Sequence, residues 1–216
     1  MKIIRFCLLF IGLSVAAFSQ STLVCLGDSL TAGYGLDEAQ AYPELLEKKL
    51  KDWKVVNAGV SGDTTAGGLK RLDWILKSKP DAVFVALGAN DGLRGIRPSE
   101  TEKNLGLIVS KIQASGAKVY LAGMFVPTNY GQDYFFDFKI LYPRVAKRFG
   151  VPLMPFLLQD VGGVERLNQA DGLHPNAEGA QIVAEHVYQF LKKYLPPSKA
   201  GGLSAPQKVI RSKSDL

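Results

Sequence analysis

The sequence predicts a doubly wound α/β domain, in which helices cover both faces of a parallel sheet. Short apolar runs alternate along the chain with longer segments of helical spacing, and this alternation is typical of parallel α/β folds. The apolar runs have no polar side, which indicates strands that are buried on both faces. Of the 216 residues, about 175 lie between Ser21 and Leu195, enough for one domain with a sizeable core.

Five strands are predicted from the apolar runs. The runs are TLVCL, KVVNA, DAVFVAL, AKVYLAG and VPLMPF, which begin at residues 22, 54, 81, 117 and 151. Five further segments carry apolar residues at intervals of three and four. This spacing predicts helices over 41–53, 65–78, 99–115, 134–148 and 176–194. The resulting order of strands and helices indicates a five-stranded parallel sheet.

The first nineteen residues have the features of a secretory signal peptide. Two basic residues precede the apolar stretch 6–15, and the small residues Ala17 and Ser19 lie before an expected cleavage near Ser19–Gln20. A membrane anchor is the alternative, but this stretch is shorter than the ~20 apolar residues that span a bilayer. We therefore expect a periplasmic or secreted protein with no stable membrane insertion.

The net charge of +6 does not indicate a nucleic-acid-binding protein. The excess of basic residues lies at the two ends of the chain, and residues 20–195 are close to neutral. A nucleic-acid-binding domain would carry a basic stripe or patch, so nucleic acid is not an expected partner. The basic, polar segment 196–216 is predicted to be a disordered tail.

A polar turn containing glycine follows each of the first three predicted strands. The turns read GDSLTAG, GVSGDTT and GANDGLRG. Parallel strands end at the same edge of a sheet, and open α/β sheets bind their ligands beyond that edge. Each turn alone would be an ordinary loop, but the three together predict a functional site.

Ser29, in the first of these turns, is the candidate nucleophile. A serine hydroxyl attacks only when a base takes its proton. His174 is the candidate base, and Asp171 precedes it by three residues, close enough to orient the imidazole. The other histidine, His186, falls inside the last predicted helix and is interpreted as a partly exposed helical residue. Cys25 lies within the first strand and is interpreted as a small buried hydrophobe.

Three hydrogen-bond donors at the same edge are candidates for an oxyanion hole. They are the backbone N–H groups of Ser29 and Gly62 and the side-chain amide of Asn90. Gly62 has no Cβ, so a ligand can approach its backbone closely. The amide of Asn90 donates a hydrogen bond without adding a charge, which suits a developing oxyanion.

The four blocks GDSL, GVSGDTTAGG, GANDG and DGLHPN together resemble the SGNH hydrolase, or GDSL esterase/lipase, superfamily. In this sequence Ser29, Gly62, Asn90 and His174 stand at its namesake positions, and the resemblance covers residues 21–195. It implies a flavodoxin-like three-layer α/β/α sandwich with a central five-stranded parallel sheet. It also implies an acyl-enzyme mechanism with no metal or organic cofactor. One departure is Ala89, where members similar to this chain often have a second glycine.

The resemblance implies a serine hydrolase that cleaves carboxylic esters, of the arylesterase or lysophospholipase type, and also acyl thioesters. The expected partner is a small acyl ester or thioester, and the protein is expected to be a monomer. The candidates for the acyl pocket are loop residues near the predicted site: Leu93, Met124, Phe125, Val126, Tyr130 and Phe135. Two interpretations of Arg94 remain open: it forms an ion pair with an acidic residue, or it contacts a charged substrate.

Two other functions remain open from the residues alone. Asp28, Asp171 and His174 could assist hydrolysis as metal ligands, although one histidine and two separated aspartates are a thin ligand set. A non-catalytic binding module could use the same crevice, because a fold of this kind does not determine function. A binding module, however, has no need of a histidine and an aspartate facing a serine.

Overall fold

The computed structural model describes residues 20–126 and 128–199. The predicted signal peptide, residues 1–19, and most of the predicted tail, residues 200–216, lie outside the described residues. Residues 196–199 of that tail are described, and they contact the amino end of the sheet. The backbone N–H of Lys199 donates to Ser21 Oγ over 2.9 Å, and Lys199 Nζ lies 2.5 Å from Asp81 Oδ1.

The five predicted strands form one parallel sheet, which confirms the predicted α/β fold. The strand order is β2-β1-β3-β4-β5, so β1 lies between the two strands that follow it in the chain. The strands are β1 Ser21–Gly27, β2 Trp53–Gly59, β3 Ala82–Ala86, β4 Lys118–Ala122 and β5 Leu153–Met154.

Five long helices cover the sheet in the places where the apolar spacing predicts helices. Helix α2 packs against α7, while α3, α5 and α6 pack together as a second helical layer. Two one-turn helices, α1 and α4, were not predicted because four or five residues have no detectable periodicity. No helix in the described segments has the length and apolar character needed to cross a membrane. The helices are α1 Ser29–Ala32, α2 Tyr42–Lys49, α3 Thr65–Leu76, α4 Ala89–Leu93, α5 Pro98–Ala114, α6 Gln132–Phe149 and α7 Ala177–Leu191, with 3₁₀ turns at Glu38–Gln40, Thr128–Tyr130 and Glu165–Leu167.

The residues that flank the long helices explain where these helices begin and end. Thr64 precedes α3, and its side chain accepts a hydrogen bond from the backbone N–H of Gly67. Asn176 precedes α7 and accepts from Gly179 in the same way. Such caps satisfy backbone donors that have no partner within the helix. Gly150 ends α6 at a φ of 63°, a left-handed conformation that favours glycine.

The core centres on the middle strands of the sheet. Phe84 of β3 is fully buried, and its ring contacts the rings of Tyr42 and Phe190 at centroid distances of 6.4 Å. Tyr42 begins α2 and Phe190 lies near the end of α7, so this cluster joins the sheet to one helical layer. Aromatic pairs of this kind add to the free energy gained by burying apolar surface.

Removing the Phe84 ring should destabilise the fold strongly. We expect Phe84→Ala to lower the free energy of unfolding by about 3–5 kcal/mol, since it removes buried contacts and leaves a cavity. Phe136→Ala is the matched control, because 60% of Phe136 is exposed on α6. It should change stability by no more than about 0.5 kcal/mol. Urea denaturation followed by circular dichroism measures both values, and equal effects would contradict this description of the core.

Candidate active site

The register of the sheet brings the three polar turns together. Gly27, the last residue of β1, pairs with Gly59 of β2 on one side and Ala86 of β3 on the other. The turns after β1 and β2 are in backbone contact, because a Cβ atom on Gly59 would lie 2.2 Å from the backbone nitrogen of Ala32. The turns therefore project from one edge of the sheet with no side chain between the first two.

Ser29 begins the one-turn helix α1, directly after β1. The side chain of Asp28 caps this helix by accepting the backbone N–H of Leu30 at 3.0 Å. Asp28 is fully buried, and burial raises the pKa of its carboxyl to about 6. This aspartate therefore lies beneath the turn and orders its backbone, while the adjacent Ser29 faces the cleft described below.

His174 is held by a long connection between β5 and α7 that makes its own hydrogen bonds. The backbone N–H of Gln169 donates to the carbonyl of His174 at 2.8 Å, and Asn168 pairs with Pro175 in an antiparallel bridge. The amide of Gln169 also donates to the carbonyl of Tyr34 at 2.7 Å. Because Tyr34 follows α1, this side chain ties the histidine segment to the serine segment.

Ser29, His174 and Asp171 form a continuous hydrogen-bonded line. His174 Nε2 lies 2.9 Å from Ser29 Oγ, and His174 Nδ1 lies 2.6 Å from Asp171 Oδ2. A carboxylate cannot donate, so Nδ1–H donates to Asp171 and leaves Nε2 free to accept the serine proton. The sequence predicted that these side chains lie together, although Ser29 and His174 are 145 positions apart in the chain.

Hydrogen bonds keep Asp171 ionised. Its Oδ1 accepts the backbone N–H groups of His174, at 3.0 Å, and of Leu173, at 2.9 Å. The backbone N–H of His174, the imidazole ring of His174 and the backbone N–H of Leu173 lower the pKa of the Asp171 carboxyl to about 2. The carboxylate thus stays negative opposite an imidazole that becomes positive when it accepts a proton.

Gly62 and Asn90 both lie at the cleft beside Ser29. Gly62 has a φ of 80°, a conformation that its turn requires and that favours glycine. One amide N–H of Asn90 donates to the carbonyl of Asp63 at 3.0 Å, so the second N–H remains available for a ligand. Arg94 donates to the carbonyl of Gly62 at 2.7 Å. The described residues form no ion pair with Arg94, and the contact that they give it is this backbone hydrogen bond.

A cleft of about 620 Å³ opens beside these groups. Its lining includes the polar side chains of Ser29, Asn90 and His174, while most of its surface is apolar. This division suits a ligand with one reactive polar group and an apolar body. The apolar side chains on the cleft include Leu93, Phe125, Val126, Phe156, Leu158 and Leu173.

Only some of the loop residues that the sequence suggested for an acyl pocket reach this cleft. Leu93, Phe125 and Val126 line it. Met124 does not line it, because its side chain is 1% exposed and belongs to the core. Tyr130 and Phe135 do not line it either: the Tyr130 hydroxyl donates to the carbonyl of Leu93 at 2.8 Å, and Phe135 packs against the core.

Tyr34 lies at the site and was missed by the sequence analysis. Its ring centroid is 4.8 Å from that of His174, and its side chain forms part of the cleft. The sequence feature that could have indicated this placement is the position of Tyr34, five residues after Ser29 and just beyond α1. The connection after β5 also supplies Gly162, Gly163 and Gly172, and it has no periodic pattern from which their placement could be inferred.

Asp28, Asp171 and His174, the ligands of the metal-assisted alternative, do not form a metal-binding group in the described structure. Asp28 is buried and bonded to Leu30, while Asp171 is bonded to His174 and Leu173. No group of three or more histidine, cysteine, aspartate or glutamate residues within the described segments is placed to hold a metal ion. His186 does not line the cleft, and its Nε2 lies 3.6 Å from Asp160 Oδ2.

Comparisons with known proteins agree with the geometry. Residues 25–182 match the model of the GDSL-like lipase/acylhydrolase family. Esterase TesA of Pseudomonas aeruginosa is 44% identical over 194 residues, which cover 88% of this chain and 96% of the relative. Thioesterase 1/protease 1/lysophospholipase L1 of Escherichia coli is 41% identical over 192 residues, covering 88% and 90%.

A solved structure with a similar fold is the psychrotrophic esterase EstA from Pseudoalteromonas sp., inhibited by monoethylphosphonate. It superposes with a TM-score of 0.78 at 36% identity, and the match covers 81% of this chain and 98% of that one. The family match over residues 25–182 includes all three polar turns and the segment that carries His174.

The Asp171 carboxyl should show no titration near its ordinary pKa. Its pKa in the folded protein, about 2, lies below the usual 3.8, so its contribution to stability is present above 3.8 and is lost as the pH falls through about 2. In ¹³C NMR, the Asp171 carboxyl of the wild type should have no inflection between pH 3 and 5. In His174→Ala the pKa of the Asp171 carboxyl should rise, but only part of the way to 3.8, because the two backbone N–H donors remain.

His186→Ala is the control for this measurement, because the nearest carboxylate contact of His186 is with Asp160, at 3.6 Å, and not with Asp171. The Asp171 titration should be unchanged in that variant. An Asp171 inflection near pH 3.8 in the wild type would contradict the hydrogen-bonding pattern.

Proposed function

The chain belongs to the GDSL-like lipase/acylhydrolase family, and on this premise we propose that it is a serine hydrolase with Ser29 as nucleophile, His174 as base and Asp171 as the residue that orients His174. The observation that carries the proposal is the contact of 2.9 Å between Ser29 Oγ and His174 Nε2, with Asp171 bonded to the opposite ring nitrogen. A hydroxyl, an imidazole and a carboxylate in this order are the groups that acyl transfer requires.

In the first half of the reaction, Ser29 Oγ attacks the carbonyl carbon of the substrate while its proton passes to His174 Nε2. The carbonyl oxygen becomes an oxyanion, and the proposed donors to it are the backbone N–H groups of Ser29 and Gly62 and the amide of Asn90. The tetrahedral intermediate collapses when His174 gives its proton to the leaving alcohol or thiol. The acyl group then remains on Ser29 as an ester.

In the second half, water replaces the leaving group. His174 takes a proton from the water, and the hydroxide attacks the acyl ester under the same oxyanion donors. The free acid leaves when Ser29 regains its proton from His174. Asp171 stays ionised throughout, since hydrogen bonds lower the pKa of its carboxyl to about 2, and it stabilises the imidazolium in both halves.

The proposed substrates are carboxylic esters, of the arylesterase or lysophospholipase type, and acyl thioesters. The relatives named above support the ester, thioester and lysophospholipase classes, and the cleft supports an acyl group with an apolar chain. A binding module is the alternative that shares this cleft, but ligand binding alone gives no reason for His174 to contact Ser29. Metal-assisted hydrolysis is disfavoured because the Asp28 carboxyl is buried and bonded to Leu30, and because no group of potential ligands in the described segments is placed to hold a metal ion.

The location and assembly of the protein are proposed from the sequence. Residues 1–19 read as a signal peptide cleaved near Ser19–Gln20, which supports a periplasmic or secreted enzyme. Residue 21 begins the first strand, so cleavage at this point would leave the folded domain intact. A monomer is proposed because one chain supplies every group that the mechanism uses.

Replacing the proposed nucleophile should abolish ester hydrolysis. We expect Ser29→Ala to lower kcat on p-nitrophenyl butyrate by about 10³-fold or more, since no hydroxyl remains to form the acyl-enzyme. Ser61→Ala is the matched control, because Ser61 also lines the cleft but contacts neither His174 nor Asp171. It should keep kcat within about threefold of the wild type. Near-normal turnover by a folded Ser29→Ala variant would refute the proposed function.

The acyl specificity should follow the apolar part of the cleft. Because a buried CH₂ group is worth about 0.8 kcal/mol, kcat/KM should rise about two- to fourfold per methylene from acetyl to hexanoyl p-nitrophenyl esters. Leu93→Ala should flatten this rise, since Leu93 lines the cleft, and Leu107→Ala, an exposed leucine on α5, should not. A series with the same leaving group isolates the acyl effect. A preference for acetyl esters in the wild type would contradict this use of the cleft.

A further inference from the structure

Arg71 joins two of the three polar turns through one guanidinium group. It lies on α3, on the side of the helix that faces the ends of β1 and β2. Its Nη2 donates to the carbonyl of Gly27 at 2.9 Å, and its Nε donates to Asp63 Oδ2 at 2.7 Å. Gly27 is two residues before Ser29, and Asp63 directly follows Gly62, so both bonds end beside proposed oxyanion donors.

The hydrogen bonds continue from Asp63 to the third turn. The backbone carbonyl of Asp63 accepts the amide of Asn90 at 3.0 Å. The carbonyl of Gly27 also accepts the backbone N–H of Val60 at 3.1 Å, which links the first two turns directly. Asp63 thus receives Arg71 on its side chain and Asn90 on its main chain, and every turn that supplies an oxyanion donor is connected to the others.

The chemistry of the guanidinium explains why an arginine suits this position. Its N–H groups are fixed in one plane, so two donors can hold two acceptors at a set separation. The bond between Arg71 and Asp63 is largely shielded from solvent, with side-chain exposures of 23% and 13%. Shielded, charge-assisted hydrogen bonds are shorter and stronger than exposed neutral ones. Arg71 is therefore equipped to fix the distance between the first two turns.

We infer that Arg71 is a positioning residue that sets the relative placement of the oxyanion donors of Ser29, Gly62 and Asn90. This inference rests on the proposed function. Arg71 does not line the cleft, so it acts through the two turns and not on the substrate. Arg71 should stabilise the transition state more than the bound substrate, because the donors face an oxyanion that exists only after attack on the carbonyl. Loss of Arg71 should therefore lower kcat and leave KM nearly unchanged.

Two variants of Arg71 test this role against a purely structural one. Arg71→Met removes both hydrogen bonds, and Arg71→Lys keeps the charge without the planar pair of donors. For Arg71→Met we expect kcat on p-nitrophenyl butyrate to fall about 10²-fold per active site, the scale of one lost or misplaced oxyanion donor. KM should stay within about twofold, and Arg71→Lys should fall between this variant and the wild type. End-point labelling with a fluorophosphonate counts the folded active sites and removes the effect of lost protein.

Lys111→Met is the matched control. It breaks an ion pair between Lys111 of α5 and Asp73 of α3, the helix that carries Arg71, and both side chains of this pair are well exposed. Its kcat per labelled site should equal that of the wild type. If the enzyme were sensitive to the loss of any ion pair on α3, the kcat per labelled site of Lys111→Met would fall as well.

A double-mutant cycle with Asn90→Ala tests whether Arg71 acts through the donors. In the Asn90→Ala background, Arg71→Met should cost much less than in the wild type, because residues that act as a unit have non-additive effects. Equal fold-losses in both backgrounds, or a kcat for Arg71→Met within twofold of the wild type, would overturn the inference. If Arg71→Met does not fold, Arg71→Lys is judged by the same two criteria.

The two proposals fail in different ways. A wild-type enzyme with no ester hydrolysis, or an active Ser29→Ala variant, would overturn the proposed function. A wild-type enzyme that depends on Ser29 and is indifferent to Arg71 would overturn this inference alone.

Discussion

The parallel pairing of β1 with both β2 and β3 is the constraint on which the rest of the site depends. It places Gly27 beside Gly59 and Ala86, so that three chain segments leave the sheet at one level. The segments after β1 and β2 are in backbone contact, because the backbone of Ala32 lies so close to Gly59 that a Cβ atom would not fit there. Ser29 and the two proposed oxyanion donors Gly62 and Asn90 come from separate parts of the chain, and they meet because these strands end together.

Two aspartates near Ser29 show how the environment divides the roles of identical side chains. Asp28 is buried beneath the turn, and burial raises the pKa of its carboxyl to about 6. Asp171 is partly exposed, and hydrogen bonds from His174 and Leu173 lower the pKa of its carboxyl to about 2. A carboxylate that must offset an imidazolium needs the second environment, whereas a helix cap needs only an acceptor in the right place. The positions of the two residues thus match the parts they take in the proposal.

The sequence was informative wherever function and packing leave a periodic or chemical signal. The strands and long helices could be predicted because burial imposes a spacing on apolar residues. The proximity of Ser29, His174 and Asp171 could be predicted because a serine nucleophile needs a base and an acidic residue beside it. The one-turn helices and the placement of Met124 in the core could not be predicted, since neither has a periodicity that separates it from a loop. The role proposed for Arg71 could not be predicted either, because it depends on contacts with carbonyl and carboxylate oxygens of turns that are distant in the sequence.

The most direct test of the account is a crystal structure of the enzyme after reaction with a fluorophosphonate, whose tetrahedral phosphorus imitates the intermediate. We expect a covalent bond to Ser29 Oγ, with one phosphonyl oxygen within about 3 Å of the backbone nitrogens of Ser29 and Gly62 and of Asn90 Nδ2. His174 Nε2 should remain within hydrogen-bonding distance of the Ser29 oxygen. A phosphonyl oxygen that contacts none of these three donors, or an adduct on a different residue, would contradict it.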